Sequence, residues 1–237
     1  MVSQSERAYE LLRSQIVHWQ IPPGAHLSEV QLAERLAVSR TPLRQAIQRL
    51  AHEGLIRMTP GRGAQVSEIA LQDVVHLFQM REALEPYAAR LCARRPDRAR
   101  FAALRADFET QRAELEGDGP ADGDYTRYYE LIGRLDKAVD EVAGNPYLVT
   151  SLAGLRGHLQ RLRQIARRRP ARMLRTVTEH LSICAAIEEG DESRAAEATA
   201  VHISNSLRHI LAVMAEDVGG GLLGGGAEFD TAPRRTT

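Results

Sequence analysis

Between Leu32 and Glu53 the apolar positions form two short helical stripes joined by a tight turn. Leu32, Ala33 and Leu36 fall at i, i+1 and i+4, one face of a helix, and Val38 follows as an inward-pointing turn residue. Leu43, Ala46, Ile47 and Leu50 then mark the buried side of a second helix, whose opposite side carries Arg40, Arg44, Gln45, Gln48 and Arg49. Ser39 or Thr41 can cap that helix, and Pro42 falls in its first turn, where a missing N–H is harmless. Gly54 can close it with a left-handed residue. Leu55-Ile56-Arg57-Met58 and Ala64-Gln65-Val66 read as two short strands around the turn Pro60-Gly61-Arg62-Gly63, a wing with an arginine at its tip. Two braced helices, the second with Arg, Thr and Gln at its exposed N-terminal end, suit entry into the major groove of double-stranded DNA. Arg44 then either forks onto guanine O6 and N7 or clamps a phosphate, while Arg62 lies over the backbone or in the adjacent minor groove.

Upstream, Tyr9, Leu12, Ile16 and Trp19 give a helix from Glu6 to Trp19, capped by Ser3 or Ser5 and broken by Ile21-Pro22-Pro23-Gly24; Ser28 caps the helix from Glu29 to Leu36. After the connector at 67–70 nearly every segment has helical spacing. Helices are expected over 71–94 (with Pro86 to bend it), from Asp97 to about Glu116, and over 124–143, 147–168, 172–189 and 192–216. The stretch from Gly219 to Thr237 is glycine-rich without periodicity, which predicts a disordered tail. The fold class expected is mainly α: an N-terminal winged helix-turn-helix with a small β wing over 1–69, an all-α antiparallel helical bundle over 70–216, and the tail over 217–237.

Composition refines this picture. Aromatic residues make up only 5% of the 237 residues, so the cores must be built from Leu, Ala, Val and Ile. No apolar run approaches a membrane span, the N-terminus lacks a signal-peptide layout, and Cys92 and Cys184 lie far apart within helical patterns; a cytoplasmic protein with two reduced thiols is expected. The zero net charge hides an imbalance, +3 over residues 1–66 and −3 over the rest, as a DNA-reading head on a regulatory body would have.

The pieces PPGAHLSE, LAERLAVSRTPLRQAIQRLAHEGLI and GRGAQV occur in the order and spacing of GntR-type bacterial transcription regulators, and the head resembles their winged helix-turn-helix. The resemblance implies that Ser39, Arg40, Thr41, Arg44, Arg62 and Gly63 contact DNA; Arg49 joins them as part of the same exposed helix side. Ala37 stands where many members have Gly, in a turn that calls for a left-handed backbone, at a cost of about 1 kcal/mol. Gln45 stands where Glu is commoner, a change that bears on which operator bases are preferred.

The second half is similar to the FCD effector domain of the FadR-like branch, through MREALEPYAARLCA, EVAGNPYL and TEHLSICAAIEEGDESRAAEATAVHI. That resemblance implies a central divalent metal held by four ligands from facing helices. Here the four positions fall on Ile132, Asp136, His180 and His202, so the apolar Ile132 removes one ligand and Asp136 replaces an imidazole. The remaining Asp136, His180 and His202 either hold Zn²⁺, Mn²⁺, Fe²⁺ or Ni²⁺ with positions open to an effector, or form a metal-free polar pocket. Arg81 corresponds to an arginine that points into the cavity; it either forks onto an effector carboxylate or pairs with Glu82 or Glu85. The function expected is a homodimeric transcription regulator, a repressor, that binds a palindromic operator and responds to a small organic acid at Arg81, Asp136, His180 and His202. The alternatives are a regulator whose effector is the metal ion itself and a metal-dependent enzyme with a DNA-binding head. No general base pairs with a nucleophile in the sequence, so no enzyme is expected.

Overall fold

The first helix, α1 (Gln4–Val17), starts on a capping serine: Ser3 Oγ accepts from the Glu6 N–H at 3.1 Å. It ends two residues earlier than its apolar stripe suggests. His18 is the cap and Trp19 leaves the helix with φ +58°, after which the Ile21 N–H returns to the Gln15 carbonyl at 3.0 Å and closes the end. A computed structural model describes residues 3–217 apart from 62, 96, 118–124 and 167–169; Arg62 and the expected tail beyond 217 lie outside the described residues.

Strand β1 (His26–Leu27) follows, then α2 (Glu29–Leu36) and α3 (Arg40–His52), then β2 (Ile56–Thr59) and β3 (Gly63–Val66). Apolar faces of α1, α2 and α3 meet in one core, with Leu12, Ile16, Leu32, Leu36, Leu43, Ile47 and Leu50 buried together. The wing has three strands in the order β1-β3-β2, not two. His26-Leu27 pairs antiparallel with Ala64-Gln65, and this two-residue strand is too short to show a period-2 pattern. Ile56 faces Val66 and Thr59 faces Gly63 across the other ladder.

The turn between α2 and α3 carries the strain its sequence implies. Ala37 is left-handed at φ +51°, ψ +46°, and its N–H closes α2 onto Ala33 and Glu34. Such a backbone costs an L-residue about 1–2 kcal/mol, partly offset because glycine is freer in the unfolded chain. Ala37→Gly is expected to stabilise the protein by about 0.5–1 kcal/mol, read as an upward shift of the urea midpoint.

The remaining helices are α4 (Leu71–Ala93), α5 (Arg98–Glu116), α6 (Thr126–Ala143), α7 (Pro146–Ala166), α8 (Pro170–Glu189) and α9 (Glu192–Asp217), close to the six expected. Pro86 lies inside α4. Gly144, left-handed at φ +58°, ends α6, and Asn145 Oδ1 caps α7 by accepting from the Tyr147 and Leu148 N–H groups at 3.1 and 3.3 Å. Asp191 Oδ1 caps α9 through the Arg194 N–H at 2.9 Å. α5 packs along α8, burying Phe101, Phe108, Val177, Cys184 and Ile187, and α4 packs on α6 and α8. The chain divides into two compact units: the described residues to Ala70 with Gly157–Gln164 of α7 and the end of α9 from Ala215, and then Leu71–Arg156 with Ile165–Met214. The 157–164 stretch thus groups with the head, although the sequence places it within the bundle.

Candidate functional site

The head presents its polar side on α3. Ser39, Arg40, Thr41, Arg44, Gln45 and Gln48 are all exposed there. Ser39 occupies the N-cap position by its backbone, but neither expected cap hydrogen bond forms: its side chain makes none, and Thr41 sits inside the helix. The Ser39 hydroxyl is thus spared for other partners, beside the unsatisfied N–H groups of the helix start. Arg40 has no ion-pair partner among the described residues. Arg44 is 63% exposed and donates Nε–H to Glu29 Oε2 of α2 at 2.7 Å.

Arg49, also expected at the DNA, is half exposed and has partners within the head. Its guanidinium lies 3.6 Å over the Tyr9 ring and donates to Glu6 at 2.9 and 3.2 Å, with Glu53 3.6 Å away. That set fastens α3 to α1, so Arg49 is a brace of the head. Tyr9 completes it by donating its hydroxyl to Glu53 at 2.8 Å; burial and the neighbouring Glu53 carboxylate push that phenol up to about 12. On the wing, Gly61 and Gly63 both have φ +76°, as the turn requires, and Gly63 is exposed. Arg57 on β2 is a further exposed cation that the sequence reading left out of the interface; it sits opposite Gln65 in the ladder. An arginine in a strand next to a basic tip was the available signal.

The second unit holds a buried polar centre made of two connected groups. In the first, Arg81 of α4 is 7% exposed and grips Glu85 with two hydrogen bonds, Nε to Oε1 at 2.6 Å and Nη2 to Oε2 at 3.0 Å. Burial opposes its charge, but Glu85 and then Asp136 outweigh it, so Arg81 stays cationic. Arg156 pairs with Asp140 and donates to the Asp136 carbonyl at 3.3 Å. The second oxygen of Asp140, Oδ1, is buried with no hydrogen-bond partner among the described residues.

The second group was not legible in the sequence. Glu179 of α8, the neighbour of His180, accepts four hydrogen bonds: from Arg172 at 2.7 and 3.0 Å, from His202 Nδ1 at 2.8 Å and from Asn205 at 2.8 Å. Arg172 also donates to Ser206 Oγ at 3.0 Å. Burial works against the Glu179 charge, but the His202 and Arg172 hydrogen bonds prevail and hold its carboxyl down to about 2. Burial, aided by the Arg81 charge, pushes His202 below its ordinary range, so it is a neutral imidazole that donates from Nδ1. His180 is buried between the Phe108 ring at 5.0 Å and the His202 ring at 4.6 Å.

These residues do not fit a divalent metal. Ile132 is buried in the apolar core, and among the described residues no group of three or more His, Cys, Asp or Glu is placed to hold an ion. Asp136 lies in the field of the Arg81 and Arg156 guanidiniums, which already balance much of its charge. Of the expected ligand set Asp136, His180 and His202, the two rings lie 4.6 Å apart, and the Asp136 carboxylate acts on Arg81 and Arg156.

The model for the gntR family of bacterial regulatory proteins matches residues 4–66, and the FCD domain model matches residues 76–205. The chain belongs to the gntR family, in the branch that carries an FCD domain. This gntR regulator is 29% identical over 211 residues to the HTH-type transcriptional repressor RspR of Escherichia coli K12, covering 87% of the chain and 90% of that protein. It is 30% identical over 195 residues, 82% of the chain and 80% of the relative, to an uncharacterized HTH-type transcriptional regulator in an unstable DNA locus of Streptomyces ambofaciens. The solved structure of E. coli McbR/YncC shares the fold, with a TM-score of 0.71 at 22% identity over 91% of this chain and 99% of that one. The gntR head and FCD bundle make the chain a DNA-binding transcription regulator. Among the described residues no helix is long and apolar enough to cross a membrane.

Proposed function

We propose that the protein is a cytoplasmic repressor that binds a palindromic operator as a homodimer and is controlled by a small organic acid held in the FCD bundle. The observation that carries the DNA side is the exposed start of α3, where Ser39, Arg40, Thr41 and Arg44 stand together on a helix braced from behind by Arg49. With Gly63 and Arg57 on the wing, each head offers cations to two faces of a half-site, and a two-fold dimer presents two heads. Repression is supported by the name of the relative RspR. Selection of bound duplexes from a random library tests the DNA side: the winning sequences should be inverted repeats, and sequences without two-fold symmetry would contradict it.

Arg81 supports the acid effector, since a buried, cationic fork is the group a carboxylate would take over from Glu85. Carboxylates outnumber guanidiniums around it, and Asp140 Oδ1 awaits a donor. An acid that also carries a hydroxyl or ammonium group therefore suits the centre better than a bare diacid, with His180, His202 and Asp136 completing its surroundings. An acid that binds one arrangement of the heads better than the other need supply only about 1–3 kcal/mol of coupling, roughly 5- to 150-fold in operator affinity. The experiment is a panel of hydroxy, amino and dicarboxylic acids scored by melting temperature and by operator affinity; a hit should lose its effect in Arg81→Met.

The reading needs no metal. Dialysis against a chelator, followed by Zn²⁺, Mn²⁺, Fe²⁺ or Ni²⁺, is expected to leave both the melting temperature and operator affinity unchanged. A metal-dependent rise in either would favour the ion-sensing alternative.

A further inference from the structure

The exposed arginines of α3 are not equivalent. Arg40 projects without a carboxylate beside it among the described residues, as suits a contact with phosphate. Arg44 lies against Glu29, the first residue of α2, with Nε and Oε2 2.7 Å apart. A carboxylate at that place is a poor companion for a phosphate clamp, because its charge repels the phosphate that the guanidinium would seek. It is a good companion for a base reader. The hydrogen bond uses one N–H of a planar guanidinium and leaves the four of Nη1 and Nη2 as a fork, the geometry that guanine O6 and N7 accept.

Glu29 is itself fixed. Ser28 caps α2, and the carboxylate sits at the positive end of that helix. α2 is held on α3 by Leu32 and Leu36 in the shared core. The Arg44 fork is thus oriented before DNA arrives, so less side-chain freedom is lost on contact.

We infer that Glu29 is a specificity-determining positioning residue: it aims the Arg44 fork at a guanine and, by its negative charge, penalises docking on DNA where that guanine is absent. The inference rests on α3 being the recognition helix, and the test separates the two. Affinity of the full-length protein is measured at one salt concentration for its library-selected duplex and for a scrambled duplex of the same composition. Wild type, Glu29→Ala, Arg44→Ala and the double variant are compared, with thermal melts as a check on folding. Glu29→Gln, which keeps the acceptor oxygen but not the charge, serves where Glu29→Ala fails to fold.

Glu29→Ala is expected to bind the scrambled duplex several-fold more tightly and to lower the specificity ratio about tenfold or more. Once Arg44 is alanine, removing Glu29 should lower the ratio no further. Glu29→Gln should also tighten scrambled binding. A specificity ratio unchanged in Glu29→Ala but lowered in Arg44→Ala would overturn the role of Glu29. A ratio unchanged in Arg44→Ala would overturn the recognition-helix reading itself, and the inference with it.

Discussion

Arg44→Ala is expected to weaken operator binding by roughly thirtyfold or more while leaving the fold and the melting temperature nearly unchanged. The side chain is 63% exposed, and its partner within the protein is the half-buried Glu29 at the surface. An exposed ion pair of this kind contributes about 0–1 kcal/mol to stability. A two-pronged contact to a base is worth about 1–3 kcal/mol, and a two-fold dimer loses it twice, which makes roughly 2–6 kcal/mol. Affinity is thus far more sensitive than stability. Arg40→Ala should behave differently: its loss should weaken the selected and scrambled duplexes alike and reduce the salt slope by about one per half-site. Fluorescence anisotropy at three salt concentrations reads both effects.

Arg172→Leu is expected to cost the bundle about 3–5 kcal/mol, the usual penalty for removing one partner of a buried ion pair. Arg172 is 7% and Glu179 12% exposed at their side chains, and the leucine would leave the carboxylate with only His202 and Asn205. The same network makes stability fall in acid. The Glu179 carboxyl lies at about 2 in the folded protein against 4.5 ordinarily, a depressed value. Its contribution is fully present above 4.5 and is lost as the pH falls toward 2, by about 3 kcal/mol. His202 acts in the same direction, since its folded-state value is also depressed, and its share begins to be lost below its ordinary 6.5. Urea melts of wild type and Glu179→Gln at pH 6, 4 and 3 should show the stability gap narrowing as the pH falls. A constant gap would mean that Glu179 is not held ionised by its partners.

Much of the head could be read from the chain because its signals are local. Leu43, Ala46, Ile47 and Leu50 fix one face of a helix by spacing alone, and Gly61 and Gly63 mark the turn of the wing. Strand β1 escaped because a two-residue strand has no period, and Trp19 was drawn into a helix because its apolar side chain continued the stripe past the backbone reversal. Arg49 looked like its neighbours on α3. Only its approach to Tyr9 and Glu6, 40 and 43 positions earlier, shows that it ties α3 to α1. In the bundle, His180 and His202 were found by their likeness to a metal pattern, yet the partner that orients His202 is Glu179. Arg172 and Glu179 are seven positions apart on one helix face, a spacing that reads as a solvated charged strip until α9 is placed over it.

The central claim is that the exposed face of α3 enters the major groove and reads guanine there. Dimethyl sulfate methylates guanine N7 in that groove, so interference on the selected duplex tests the claim most directly. Methylation of one guanine in each half-site should block the wild-type protein, and Arg44→Ala, assayed at a concentration that restores binding, should lose sensitivity at those two guanines and keep any others. Binding that is indifferent to N7 methylation throughout, or an Arg44→Ala pattern identical to wild type, would contradict it.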